Sequence, residues 1–284
     1  MESIYKGFRK KHDYLICVDT SGCVMDTMNS KHMHCFGPCL VEEWGLQQWE
    51  ESILHRWNEI NLFQLTRGIN RFKSLAIVLR EIHEKFTPIV GLDTLNTWIE
   101  ETPALSNDLL TEAISHTDDE DGKICLQKAL RWSEMVNDMI TNLPAELKQP
   151  FTGAKEGLVA ASKFADVAVV SSSNRDAVEE EWVYHSLMPY TDIILAQDCG
   201  SKSNCIAQML SFGYGKDHVL MIGDAMGDFR AAEKNGVYFY PILVNWEEES
   251  WNALCCEALP MFQAGDYGAC QEEKLQVFLE NLGG

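Results

Sequence analysis

The chain has 284 residues, 46% of them hydrophobic and 23% charged, a balance that excludes a disordered chain and suits one large core or two modest ones. Its formal net charge of -20 repels phosphate backbones and anionic bilayers, so neither nucleic acid nor membrane is an expected partner. A small anionic substrate stays open, because a metal ion and one lysine can reverse the field locally.

In chain order, the first element is an apolar β-rich run, Tyr14–Asp19, which predicts a buried parallel strand. From Met25 to Gln149 nothing reads as a strand. Helical periodicity fills the interval over Val41–Asn61 (with Trp44, Trp49 and Trp57), Ile69–Lys85, Leu92–Glu101, Asn107–Ser115 and Lys123–Asn142. An insertion of that length needs its own core, and Leu143–Gly153, with Pro144, Pro150 and Gly153, reads as the return hinge. Four more apolar runs follow at Val167–Ser171, Asp192–Ala196, Val219–Gly223 and Val237–Val244. Helical segments at Asp176–Leu187, Ser203–Phe212 and Asp228–Asn235 separate them. Such alternation predicts an α/β fold with a doubly wound, Rossmann-like parallel sheet. Its core is expected to comprise 1–24 and 150–284, with an all-helical cap over 25–149.

No stretch is apolar for the roughly 20 residues that a membrane span needs. The opening segment MESIYKGFRKKHDYLICVD lacks a signal-peptide core and cleavage site. Ten cysteines lie scattered without zinc-finger or paired CxxC spacing, and a cytoplasmic, reduced protein is the expectation. Oligomeric state is not readable from the sequence.

Ligands of open α/β sheets bind beyond the carboxyl ends of the strands, where the winding reverses. The polar residues expected there are Asp19, Ser171 and Asp224. Two carboxylates, a hydroxyl run and a downstream lysine form a constellation suited to a metal and a phosphate. Each residue also has a plainer reading. Asp19 could cap a turn, Asp224 and Asp228 could favour a helix dipole, Ser171 could belong to a turn with Ser172 and Ser173, and Lys202 could be a surface lysine. The cluster Lys31, His32, His34, Cys35 and Cys39 fits no tetrahedral metal template. The tryptophans of the insertion read as core, and sequence alone does not aim Lys31, Arg67, Arg71 or Lys73.

Four segments, in order, resemble the motifs of the haloacid dehalogenase-like hydrolase superfamily, in its helical-cap branch. They are ICVDTSGCVMDT, VAVVSSSN, CGSKSNCIAQML and VLMIGDAMGDFRAAEKNGV. The resemblance implies that Asp19 is the nucleophile. It implies Mg²⁺ held by Asp19, the Ser21 carbonyl and Asp224, with Asp228 acting through water or by orienting Lys202. Ser171 and Lys202 would meet the phosphoryl group, with Ser172 and Asn174 in the substrate-binding set. The implied activity is a Mg²⁺-dependent phosphatase for a small phosphorylated metabolite, working through an aspartyl-phosphate. The chain departs from the pattern in its first motif, where Ser21 replaces the second aspartate and Cys23 the usual threonine. A hydroxyl cannot stand in for a carboxylic general acid near neutrality.

Three other activities are compatible with that departure. One is C–P cleavage like that of phosphonoacetaldehyde hydrolases, with Lys31 or Lys73 as the Schiff-base candidate. The second, haloacid dehalogenation, fits less well, because that branch does not need the metal-binding fourth motif that this chain carries. The third is a metal-binding protein with little or no turnover.

Overall fold

The computed structural model describes residues 2–102 and 104–284, which divide into two compact units. One unit comprises the chain up to Met28 with Ala145–Gly284; the other is Asn29–Pro144.

The first unit is a five-stranded parallel sheet. Its strands are β1 (Tyr14–Val18), β2 (Ala165–Val170), β3 (Ile193–Leu195), β4 (Val219–Gly223) and β5 (Tyr238–Pro241), in the spatial order β3-β2-β1-β4-β5. Strands β1, β2, β3 and β4 are apolar almost throughout because helices cover both faces of such a sheet. The winding starts at β1, runs outward to β3, and returns to the other side of β1 for β4. The reversal therefore lies between β1 and β4, which pair from Leu15↔Val219 to Val18↔Ile222.

Two sheet edges result, and both are blunted. Strand β3 is only three residues long. Along β5, side chains take the place of a sixth strand. The Phe239 amide donates to Gln271 Oε1 (2.9 Å), and the Phe239 carbonyl accepts from the Tyr267 hydroxyl (2.7 Å). Past the end of β5, Asn281 pairs with both the amide and the carbonyl of Val244. Gln271 and Asn281 belong to a helix, Gln271–Asn281, that follows two shorter ones, Glu247–Ala253 and Leu259–Ala264.

Among its described residues the second unit contains helices and no strand: Gly37–Trp44, Glu50–Leu62, Arg71–Lys85, Leu92–Glu101, Asn107–His116 and Glu120–Thr141, preceded by a π-helical turn at His32–Phe36. The single helix expected over Val41–Asn61 is two. Gly45 adopts the left-handed conformation (φ 68°), its amide closes back on Val41 and Glu42, and a new helix starts at Glu50. The core is aromatic. Trp57, Trp132 and Phe36 pack with ring centroids 5.9–6.2 Å apart, and Phe72 joins Trp132 to Trp98. The two fully buried indoles are satisfied, Trp132 by the Phe36 carbonyl and Trp57 by His32 Nδ1. Trp44 and Trp49 stay half-buried. No helix of the described residues is long and apolar enough to cross a membrane.

Candidate active site

The register of β1 and β4 delivers Asp19 and Asp224 to one end of neighbouring strands. The Asp19 amide still bonds the Ile222 carbonyl (3.0 Å), which fixes where its side chain departs. The chain then turns tightly. Gly22 takes a left-handed conformation (φ 88°), and the Met25 amide reaches back to the Thr20 carbonyl (2.7 Å). Two fully buried tryptophans brace this turn: the Trp182 indole donates to Thr20 Oγ1 (2.8 Å) and the Trp251 indole to the Cys23 carbonyl (3.0 Å). Beyond it, Val24–Asp26 runs beside Gln149–Phe151, joined by Asp26 N to Gln149 O and by Phe151 N to Val24 O.

Asp228 comes from the first turn of the helix Met226–Asn235, where its Oδ2 accepts the Ala225 amide (3.2 Å) and caps the helix. Gly223 makes room for it, since a β-carbon there would sit 2.4 Å from Asp228 Cβ. Lys202 is the first residue of the helix Lys202–Leu210. The preceding turn is held by Arg175, whose guanidinium forks onto Asp198 (2.8 and 3.0 Å) and also donates to the Ile194 carbonyl.

Lys202 Nζ lies 2.8 Å from Asp19 Oδ1 and 2.6 Å from Asp228 Oδ1. Asp19, Asp224 and Asp228 are 6%, 1% and 0% exposed, and each offers an oxygen within 4.8 Å of the others. Three carboxylates lie close together around one ammonium in a buried space, where bringing like charges together is expensive. The strain shows in Asp228. Burial pushes its carboxyl up to about 7, with Asp19 and Asp224 adding to the rise and Lys202 opposing it. Burial lowers the affinity of Lys202 for its proton, yet the Asp19 and Asp228 carboxylates raise it further, to a net value above the ordinary range. A buried set of hard carboxylate oxygens with surplus negative charge has the donor chemistry of a Mg²⁺ site. No other group of three His, Cys, Asp or Glu side chains among the described residues comes together in this way.

The remaining sequence-predicted residues fall into two sets. The Ser21 hydroxyl belongs to a chain of hydroxyls, accepting from Thr27 (3.1 Å) and lying 3.4 Å from Ser173 Oγ. Ser171 is buried after β2, with its Oγ accepting the Ser173 amide (3.1 Å). Ser172 is exposed, and Asn174 Oδ1 caps the helix Arg175–Tyr184 through the amides of Asp176 and Ala177. Ser171, Ser172 and Asn174 make no hydrogen bond to the carboxylates or to Lys202 among the described residues. Thr20 and Thr27 were not foreseen from the sequence, which offered Ser173 only as a turn residue beside Ser171; a hydroxyl in or beside a motif was the one available signal. Cys23 is buried, and burial reinforced by the neighbouring aspartates holds its thiol protonated, so it is no nucleophile.

Among its described residues the second unit brings no three histidines, cysteines or carboxylates together as a metal site. His32 Nδ1 is taken by Trp57, and the Cys39 thiol lies 3.2 Å from Met139 sulfur.

A parallel sheet with acidic residues at its switch point, and a lysine bridging two of them, has the arrangement of an α/β enzyme site. Residues 69–242 match the family model for haloacid dehalogenase-like hydrolases, a stretch of more than half the chain that includes Ser171, Lys202, Asp224 and Asp228. The chain belongs to the haloacid dehalogenase-like hydrolase family. A haloacid dehalogenase-like family hydrolase from Streptococcus pneumoniae has a similar structure, at 14% identity and a TM-score of 0.50, over 85% of this chain and 90% of that one. A hydrolase from Pseudomonas syringae is similar at 13% identity and a TM-score of 0.50, over 88% of this chain and 98% of that one. At such identities the likeness concerns the fold. No curated protein matches the chain.

Proposed function

We propose that the protein is a Mg²⁺-dependent phosphatase for small phosphorylated metabolites, working through an aspartyl-phosphate on Asp19. The observation that carries this reading is the pairing of Asp19 Oδ1 with Lys202 (2.8 Å) beside Asp224 and Asp228, at the switch point of the sheet. With Oδ1 engaged, Oδ2 is the oxygen that attacks phosphorus.

In the first step the Asp19 Oδ2–P bond forms as the ester P–O bond breaks, and the leaving oxygen takes the electron pair. In the second, water cleaves the acyl-phosphate and regenerates the carboxylate. Lys202 neutralises charge on the phosphoryl oxygens, and Ser171 donates to one of them. Asp228, with both oxygens engaged by Lys202 and by the Ala225 amide, holds the lysine in place. Asp19, the Ser21 carbonyl and Asp224 would hold the metal, which supplies charge neutralisation and orients the phosphoryl group. The helical unit is the cap in this reading.

At position 21 a network of hydroxyls stands where a carboxylic acid would protonate the leaving oxygen. General acid catalysis contributes about 10²–10⁴-fold. Leaving groups that are stable without a proton, those of acyl, aryl or anhydride phosphates, are therefore favoured over alkyl phosphates.

The test is a metabolite-phosphate panel, run with Mg²⁺ and with a chelator, on wild type and Asp19→Asn. Phosphate release that needs Mg²⁺ and disappears in Asp19→Asn is expected. Undiminished release by Asp19→Asn would refute the mechanism. Mg²⁺ binding with no turnover on any ester would make this a binding protein instead.

A further inference from the structure

The helices after β5 enclose a cavity that the catalytic reading does not use. Its volume is about 440 Å³, within the size range of small-molecule sites, and it lies wholly in the α/β unit. Tyr240 and Pro241, at the end of β5, form its floor. The space exists because the helix Glu247–Ala253 turns two small residues toward it, Ser250 and Ala253. The Ser250 hydroxyl is drawn back from it, accepting the Leu243 amide (3.0 Å) and donating to the Trp246 carbonyl (2.7 Å).

Two large apolar side chains stand at its walls partly in water, Trp246 at 56% exposure and Val277 at 44%. The Trp246 ring is exposed although its backbone is fixed. Asn245 before it takes the left-handed conformation (φ 66°), and the Trp246 amide bonds the Leu243 carbonyl (3.0 Å). A fixed indole face beside a cavity suits a ligand that is apolar or cationic.

The charges around the cavity choose between the two. Glu249 lines it from the helix Glu247–Ala253, and Glu273 and Lys274 from the helix Gln271–Asn281. Glu257 lines it from a π-helical turn, Leu254–Ala258, closed by the Leu259 amide on the Leu254 carbonyl. Such turns are rare and occur often at functional sites. Among the described residues the three glutamates make no hydrogen bond or ion pair. Lys274 makes no ion pair either; its ammonium lies over the Tyr240 ring, 5.5 Å from the centre. A cleft with low-dielectric walls and charges of mainly one sign focuses their field inward. Three carboxylates against one ammonium, around aromatic and aliphatic walls, complement a positive charge on an apolar body.

We propose that this cavity binds a small organic cation, an amine or quaternary ammonium compound with an apolar body. The field of Glu249, Glu257 and Glu273 holds its charge, and Trp246, Val277 and Pro241 cover its body. The inference does not depend on the catalytic reading.

The probe is benzyltrimethylammonium, with benzyl alcohol and benzoate as its neutral and anionic counterparts. Each is titrated into the full chain while the Trp246 indole ¹H–¹⁵N resonance, assigned with Trp246→Phe, is followed. Saturable movement is expected with the cation, at least about tenfold weaker affinity with the alcohol, and no movement with benzoate. That ranking tests the inference on the unaltered protein. The combined substitution Glu249→Gln, Glu257→Gln and Glu273→Gln, at three exposed positions, should weaken the cation at least about tenfold. Asp19→Asn should leave its affinity unchanged. The inference is overturned by no saturable movement with the cation, by equal affinity for the alcohol, or by an unchanged affinity in the triple variant. Loss of the response in Asp19→Asn would equally overturn it, by moving the cation to the carboxylate site.

Discussion

Asp19, Asp224, Asp228 and Lys202 are buried together in the α/β unit, with Lys202 paired to Asp19 and Asp228, while His32 in the helical unit lies about as deep (8% exposed, against 6% for Asp19) as an uncharged ring. Both regions face the same penalty, the loss of water around an ionisable group. In the first, opposite charges lie within 3 Å, and the carboxylates hold the proton of Lys202 against the effect of burial. In the second, burial disfavours the imidazolium, and the neighbouring charges, of the sign it would acquire, add to the effect. Burial disfavours the ion in both regions; the neighbouring charges oppose it at Lys202 and reinforce it at His32.

The largest expected effect comes from breaking the compensated group. Lys202→Met leaves the carboxylates without their ammonium and should cost about 3–5 kcal/mol, read as a lower urea midpoint. Added Mg²⁺ should recover part of the loss. An unchanged midpoint without metal would mean that the carboxylates are not held as charges.

Acid separates the two regions by sign. The His32 imidazole goes from a usual value of 6.5 when unfolded to about 3 when folded. Below about pH 6.5 the unfolded chain takes up a proton that the folded unit refuses, and the helical unit loses about 1.4 kcal/mol per pH unit down to about pH 3. Asp228 behaves oppositely. Its folded value of about 7 lies above the unfolded 3.8, so its contribution grows as pH falls from about 7 to about 4. Amide hydrogen exchange from pH 6.5 to 5 should show protection falling in the helical unit relative to the α/β unit. His32→Phe, which can stack but not titrate, should flatten that trend. Equal slopes in both units would break the comparison.

The smallest effect tests a neutral local interaction. Asn70 caps the helix Arg71–Lys85, its Oδ1 accepting the Phe72 amide (2.9 Å). Asn70→Ala should cost about 1 kcal/mol in chemical denaturation, with no change in the acid trend.

The five strands were legible because a strand buried on both faces is a continuous apolar run, and nothing else in that half of the sequence is. The proximity of Asp19 to Asp224 was legible too, as a consequence of strand order. The break at Gly45 was not, because the apolar periodicity of Val41–Asn61 continues across it while the backbone does not. The helices at Glu247–Ala253, Leu259–Ala264 and Gln271–Asn281 were also missed. In the last of them, Gln271 and Asn281 at the two ends answer to Phe239 and Val244 rather than to an apolar period. In the candidate site, the serine run after β2 gave no way to distinguish buried Ser171 from exposed Ser172 or capping Asn174, since all three sit in one turn. The links from Trp182 to Thr20 and from Thr27 to Ser21 arise from tertiary contact alone.

The side chains along β5 have a consequence for self-association. A strand edge is a template on which a foreign strand can grow, because its free amides and carbonyls repeat at a fixed spacing. Gln271, Tyr267 and Asn281 engage the groups of Phe239 and Val244 from helical and turn positions whose spacing no extended chain can copy. A visiting strand would have to displace three separately anchored side chains before its first ladder bond could form. The sheet thus carries its own kinetic barrier to polymerisation at its longer edge.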